Sequence, residues 1–118
     1  DKPGDLAGLL TGLNPGDGIR IALGTDFSNS RNTPYLENGR EFEAMVRAGM
    51  TPMESIRAGT INAAAVMGME DTLGGLAPGK LAGVVIVDGD PLSDIFCLTH
   101  ADHVKMVIRD GKIEKNTL

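Results

Sequence analysis

The run Ile19-Arg20-Ile21-Ala22-Leu23 constrains the fold of this chain more than any other feature of its sequence. Only Arg20 is polar, so a strand formed by residues 19–23 would be buried on both faces, as strands of parallel sheets are. A buried strand needs a hydrogen-bonding neighbour on each edge. The later strand-like segments favour a separate antiparallel sheet. We therefore expect the neighbours of residues 19–23 to come from the remainder of a longer protein or from a second copy of the chain.

Capping residues and apolar spacing predict three short helices after this strand. The first should end at Gly49. The second has the strongest start signal, because Thr51-Pro52-Met53-Glu54 combines Thr at the N-cap, Pro at N1 and Glu at N3. Gly59 should interrupt this helix. Thr60 can then cap a third helix, which Gly68 closes.

The pattern changes from helix to strand after these helices. Val84-Val85-Ile86-Val87 is a β-branched run bounded by glycine and aspartate, and residues 104–108 form a second run of strand type. Asp110-Gly111 is a preferred dipeptide for a two-residue type I′ hairpin turn, with residues 112–114 returning along the second strand. The sequence therefore predicts helices followed by a small antiparallel sheet.

The charge and composition of the chain argue against nucleic acid and membranes as its binding partners. The net charge is −5 and aromatic residues make up 3% of the chain. An acidic surface with few aromatic side chains is a poor match for nucleic acid or for an anionic membrane. The single cysteine, Cys97, excludes an internal disulfide and favours a reducing compartment. We expect a cytoplasmic protein with neither nucleic acid nor a membrane as its partner.

Asp26 is the sharpest candidate for chemistry. It lies just past the carboxyl end of residues 19–23, where α/β folds place their active groups. A carboxylate in this position can bind a metal or transfer a proton. Aspartate is also common in turns, where it caps the loop that follows. The residues alone leave both interpretations open.

Other reactive residues are better explained as structural. His100 and His103 would share a metal only on a helix, and they precede a predicted strand, so we expect surface histidines. The stretch from Gly74 to Lys80 has the spacing of a phosphate-binding loop, but Leu81 replaces the required Ser or Thr. Cys97 lies between apolar residues and is expected to be buried.

An ordered series of short motifs resembles a known family. The motifs are Gly24-Thr25-Asp26, Asn38-Gly39-Arg40-Glu41, Ala48-Gly49-Met50-Thr51-Pro52-Met53-Glu54, Ala58-Gly59-Thr60-Ile61-Asn62-Ala63-Ala64, Pro78-Gly79-Lys80-Leu81-Ala82 and Val87-Asp88-Gly89-Asp90-Pro91-Leu92. Together, over residues 19–114, they resemble the C-terminal part of the metal-dependent amidohydrolases, in the imidazolonepropionase-like and Xaa-Pro dipeptidase-like group.

The resemblance implies an α/β fold, a (β/α)₈ barrel with a small β-sandwich built from both chain ends. A complete barrel needs about 250 residues, so this chain would be a C-terminal fragment that begins inside a longer protein or has been processed. Residues 19–70 would supply the last βα unit of the barrel and the closing helices. Residues 71–118 would supply the sandwich portion with the C-terminal hairpin, and residues 1–18 form a leader that matches poorly.

The resemblance also implies a chemistry. Asp26 would be both a metal ligand and the general acid/base, and Asn38 a substrate-binding residue. The intact enzyme would use zinc or another divalent metal to activate a water that hydrolyses C–N bonds in cyclic amides, other small molecules or dipeptides. The remaining ligands of the family, a His-x-His pair, a Lys or Glu and two single histidines, belong to strands that this chain lacks. The isolated chain is therefore expected to be inactive and to bind no metal.

Two departures from the family pattern bear on function. Relatives often carry Pro-His-Gly where this chain has Pro34-Tyr35-Leu36, and they usually carry Asp where Gly83 stands. The first departure puts a substrate contact of the family in doubt, and the second a structural salt bridge or turn bond. The alternative to an enzyme is a non-catalytic α+β scaffold or interaction module derived from the same family.

Overall fold

The computed structural model describes residues 19–26, 31 and 36–118. In chain order the elements are helices α1 (Arg40–Arg47), α2 (Pro52–Gly59) and α3 (Ile61–Val66), strand β1 (Val84–Val87), the 3₁₀ turns Ile95–Leu98 and Ala101–His103, and strands β2 (Val104–Arg109) and β3 (Lys112–Asn116). Helices followed by a small sheet are what the sequence predicts. The predicted leader, residues 1–18, and most of the loop that follows Asp26 lie outside the described residues.

Helix α1 ends where the sequence predicts. Gly49 takes φ +115°, a backbone conformation that favours glycine. Its N–H donates to the carbonyl of Val46, and the N–H of Met50 donates to the carbonyl of Met45. This pair of bonds is the Schellman motif, which satisfies carbonyl groups that the helix leaves free at its end.

The predicted capping box of α2 is confirmed. The Thr51 hydroxyl accepts from the Glu54 N–H at 3.2 Å, and Glu54 Oε2 accepts from the Thr51 N–H at 2.8 Å. The prediction for Thr60 is wrong in one respect. Helix α3 does follow it and does end at Gly68, but the Thr60 hydroxyl donates to the carbonyl of Ile56 at 2.7 Å and caps nothing. The last turn of α2 competes successfully for that hydroxyl.

Residues 19–23 were expected to form a strand, and in this structure they form none. The segment instead lies against the helices. The N–H of Leu23 donates to the carbonyl of Ala58 at 2.9 Å, and the carbonyl of Ile21 accepts from Asn62 Nδ2 at 2.9 Å. A strand is defined by its ladder, and the described residues offer this segment no neighbouring strand, so its backbone groups take partners on α2 and α3.

The helical part has a small apolar core beneath this segment. Met45, Met50 and Ala58 are buried together, and Ile21 and Leu23 pack against them. A polar contact joins α1 and α2 beside that core, because the fully buried Ser55 donates its hydroxyl to the carbonyl of Phe42 at 2.9 Å. Packing on this core thus holds residues 19–23 against α1 and α2.

The three strands form one antiparallel sheet in the order β1-β2-β3. Asp110 and Gly111 take φ +50° and +77° between β2 and β3. Positive φ at both central positions is the signature of a type I′ turn, so the predicted hairpin is confirmed. One edge of the sheet is β1, on which Val85 and Ile86 are 57% and 39% exposed.

Close contacts fix the loop between α3 and β1 and join α1 to the turn Ile95–Leu98. The Lys80 ammonium donates to the carbonyls of Glu70 at 2.7 Å and Leu73 at 3.3 Å. Gly39, at the start of α1, lies against the backbone of Leu98, where a Cβ would overlap the carbonyl oxygen and lie 2.9 Å from the carbonyl carbon. These contacts show why the chain needs a glycine and a lysine at these two positions.

Candidate active site

Asp26 lies at the end of an anchored segment. It follows the hydrogen-bonded residues Ile21 and Leu23 after the short turn Gly24-Thr25, and it is exposed. Its φ of +47° falls in the left-handed region, which few residues other than glycine adopt and which aspartate tolerates. Asp26 therefore combines an uncommon backbone conformation with an exposed position at the end of the segment.

The pocket beside this segment lies nearer its beginning than its end. It has a volume of about 320 Å³ and is bordered by residues 19–21 and by Glu54, Arg57 and Asn62. Asp26 does not line it. The pocket therefore lies at the amino end of residues 19–23, whereas the candidate carboxylate of Asp26 follows their carboxyl end.

Asn38, the candidate substrate-binding residue, is exposed just before α1. Its carbonyl accepts from the N–H of Glu41 at 3.3 Å. Among the described residues no hydrogen bond joins Asn38 to Asp26. Burial raises the pKa of the neighbouring Glu41 carboxyl. Glu41 belongs to a motif that the sequence singles out, although no role was predicted for it.

A metal site is incomplete in the described part of the chain. Within residues 19–26, 31 and 36–118, no three His, Cys, Asp or Glu side chains come together in a group that could hold a metal ion. Catalytic zinc sites typically use three protein ligands. Asp26 has the right chemistry for one such ligand, and the other ligands would have to come from elsewhere.

The two histidines and the cysteine lie on the sheet side of the molecule. His100 is exposed, His103 is half-buried, and their rings contact Phe96 edge-on with centroids 5.1 and 6.4 Å away. Cys97 is buried as predicted. Burial raises the pKa of its thiol, and the nearby carboxylate of Asp94 adds to the effect. None of the three resembles an activated group.

The ammonium of Lys80 is already engaged, which agrees with the rejection of a phosphate-binding loop. Its two carbonyl partners lie in the preceding loop.

Asn62 is the functional candidate that the sequence did not predict. Its hydrogen bond to the carbonyl of Ile21 spans 41 positions of the chain, and only its place inside the motif Ala58-Gly59-Thr60-Ile61-Asn62 drew attention to it. No helix in the described ranges has the length and apolar character needed to cross a membrane.

Curated relatives match most of this chain. An imidazolonepropionase of Geobacillus thermodenitrificans is 35% identical over 101 residues, which cover 85% of this chain and 24% of the relative. An ochratoxinase of Aspergillus niger is 37% identical over 100 residues, which cover 83% of this chain and 20% of the relative. The chain thus spans about a quarter of the length of the curated relatives it matches.

Solved structures and a family model agree with these relatives. The crystal structure of a Xaa-Pro dipeptidase with methionine bound in its active site is 32% identical with a TM-score of 0.77, covering 97% of this chain and 25% of that one. Aspergillus niger ochratoxinase gives 35% identity and a TM-score of 0.73, over 86% of this chain and 23% of that one. The model of the Amidohydrolase family matches residues 12–113, and on this evidence the chain belongs to the amidohydrolase family.

Proposed function

We propose that this chain is the C-terminal portion of a metal-dependent amidohydrolase that hydrolyses C–N bonds in cyclic amides, other small molecules or dipeptides. One observation carries the proposal. Asp26 ends a segment that two hydrogen bonds hold on the helices, inside a family match over residues 12–113. The names of the relatives, imidazolonepropionase, ochratoxinase and Xaa-Pro dipeptidase, support the substrate class.

Asp26 is assigned the roles of metal ligand and general acid/base. Hydrolysis of an amide requires that a proton be taken from the attacking water and that a proton be delivered to the leaving nitrogen. A bound divalent metal such as zinc polarises the carbonyl and lowers the pKa of water. The exposed Asp26 carboxylate can carry the proton from one position to the other. The other metal ligands lie outside the described residues, in the part of the enzyme that this chain does not span.

Asn38 is assigned a substrate contact on chemical grounds. Its side-chain amide carries donors and an acceptor, so it can bond both the N–H and the C=O of a substrate amide. Its exposure leaves these groups available. Because no hydrogen bond joins Asn38 to Asp26 among the described residues, the two side chains would act on the substrate separately.

The remainder of the barrel is assigned as the partner of this chain. When the 118-residue chain is prepared without it, a second copy of the chain is expected to take its place. A groove of about 630 Å³ runs between the helices and the sheet. Phe42, Ile56, Val84 and Val85 contribute to its apolar lining. Residues 19–23 have no neighbouring strand among the described residues, and a barrel strand needs one on each edge; the free edge of β1 could likewise accept a strand from a second copy. The expected cytoplasmic location belongs to the same proposal.

The test is Asp26→Asn in the full-length protein that carries this chain. Turnover of dipeptide and cyclic-amide substrates with added zinc should fall by about 10²–10⁴, the usual contribution of a general acid/base. The melting temperature should stay close to that of the wild type, because Asp26 is exposed. Asp102→Asn, a matched exposed aspartate on the sheet side, should leave turnover unchanged. A wild-type protein without metal-dependent hydrolysis would favour the non-catalytic module.

A further inference from the structure

Asn62 makes a contact that neither its helix nor the apolar core requires. It is the second residue of α3, half-buried, and its Nδ2 donates to the carbonyl of Ile21 at 2.9 Å. Asparagine is a poorer helix former than the alanines that follow it. The residue is therefore better explained by its hydrogen bond than by the helix that carries it.

The bond is one of two that fix the segment before Asp26. The second joins the N–H of Leu23 to the carbonyl of Ala58 at 2.9 Å. The Ala58 partner is a backbone group, which almost any residue could supply. The Asn62 partner is a side chain, and a substitution can remove it. Asn62 is thus the contact in this pair that the sequence encodes specifically.

The geometry points to Asn62 as a positioning residue for Asp26, an inference that rests on the proposed function. Ile21 is held by Asn62, Leu23 is held by Ala58, and Asp26 follows three residues later through Gly24 and Thr25. Sliding or tilting of the segment would carry the carboxylate with it. A misplacement of about 1 Å can cost an enzyme about a hundredfold in rate. The hydrogen bond given for the Asn62 side chain is to Ile21, so Asn62 would act on Asp26 through the backbone of Ile21.

Asn62→Asp tests the inference in the full-length protein. The substitution keeps the shape of the side chain and replaces the Nδ2 donor by an oxygen that repels the carbonyl of Ile21. We expect kcat to fall by at least about tenfold, with a smaller change in KM, since the acid/base is displaced. Asn62→Gln, which keeps an amide donor on a longer stem, should recover part of the loss.

Ser55→Ala is the matched control. Ser55 also donates a side-chain hydrogen to a backbone carbonyl at 2.9 Å, that of Phe42, and it is fully buried. Its loss should lower the melting temperature at least as much as Asn62→Asp does, without reducing kcat. Equal losses of kcat in the two variants would show a general effect of stability and would overturn the positioning role.

Two further readouts do not depend on turnover alone. Hydrogen exchange at the Leu23 amide should speed up by about tenfold or more in Asn62→Asp and remain unchanged in Ser55→Ala, because only the first releases this segment. Titration of the apo-protein with zinc should show weaker binding in Asn62→Asp, since Asp26 is the proposed ligand. Unchanged Leu23 exchange and unchanged zinc affinity would overturn the inference.

A double variant separates this inference from the proposed function. In the Asp26→Asn background, Asn62→Asp should produce little additional loss of kcat, because the group it positions has already been removed. If the fold-losses of kcat caused by the two substitutions instead multiply in the double variant, Asn62 acts independently of Asp26 and the inference is overturned. A wild-type protein without metal-dependent hydrolysis would overturn the proposed function instead, and faster Leu23 exchange in Asn62→Asp would then still support the anchoring of the segment. If Asn62→Asp fails to fold, Asn62→Ala, which removes the amide donor without adding a charge, decides by the same readouts.

Discussion

Gly74 and Gly79 lie in the loop between α3 and β1 with almost the same backbone torsion, φ +89° and +88°. Their surroundings differ. A Cβ on Gly74 would lie 2.8 Å from the Cα of Ile61, 2.9 Å from the Cβ of Ala64 and 3.0 Å from the carbonyl oxygen of Thr60. A Cβ on Gly79 would meet nothing within 4 Å. Alanine at these two positions therefore separates backbone strain from steric conflict.

The magnitudes follow from this difference. Alanine at either position must adopt a positive φ, which costs of order 1–2 kcal/mol. At Gly74 it must also push aside the start of α3, and overpacking of this kind typically costs about 1–3 kcal/mol more. The neighbours of Gly74 are backbone atoms and a short side chain, which have little freedom to yield. We expect Gly74→Ala to reduce the free energy of unfolding by about 2–5 kcal/mol and Gly79→Ala by about 1–2 kcal/mol.

Denaturation of the full-length protein measures both values, with Gly75→Ala as the baseline. Gly75 has no positive φ, and a Cβ there would have only the flexible tip of Lys80 near it, at 3.6 Å. The expected order of stability is Gly75→Ala, then Gly79→Ala, then Gly74→Ala. If the Gly74 and Gly79 variants agreed within about 0.5 kcal/mol, the ordinary range for surface substitutions, the packing of this loop on α3 would be refuted.

Three other predictions follow from the geometry. Thr51→Ala removes one half of the capping box and should destabilise the protein by about 1 kcal/mol, measurable as a shift in the urea midpoint that Met53→Ala does not reproduce. Because burial raises the pKa of Cys97, the folded protein keeps the thiol proton to higher pH than the unfolded chain does. The free energy of unfolding should therefore be unaffected by this thiol below its ordinary pKa of 9.0 and should fall above that pH. Cys97→Ala should not show this fall. The 118-residue chain prepared alone should self-associate at micromolar concentration in sedimentation, because the β1 edge and the exposed Val85 and Ile86 need cover, and a compact monomer would contradict this.

Local signals allowed most of the secondary structure to be predicted. The capping box at Thr51, the glycines that end α1 and α3 and the Asp110-Gly111 turn each depend on residues close in sequence, and the structure confirms them. The segment 19–23 was predicted wrongly as a strand in this chain. Its apolar residues correctly indicate that the segment packs against a core. A β-strand also needs a neighbouring strand to form hydrogen bonds with, and the sequence of the segment does not specify that neighbour.

The candidate site shows the same limit. Asp26 was found because its position after an apolar run is a local feature, and its catalytic role remains a prediction. Asn62 was missed as a functional candidate because its partner, the carbonyl of Ile21, is 41 positions away and is a backbone group that leaves no trace in the sequence. A long-range hydrogen bond to the main chain becomes visible only in three dimensions.

The contact between Gly39 and the backbone of Leu98 limits how this chain can be recombined with its relatives. A hybrid that joins the helical segment of a relative to the C-terminal strands of this chain must bring the backbone at position 39 close to the backbone of Leu98. A donor with a side chain at the position of Gly39 would force the start of α1 away from the turn Ile95–Leu98. A crossover between the two segments should therefore keep this packing only when the donor of the helical segment has glycine at position 39.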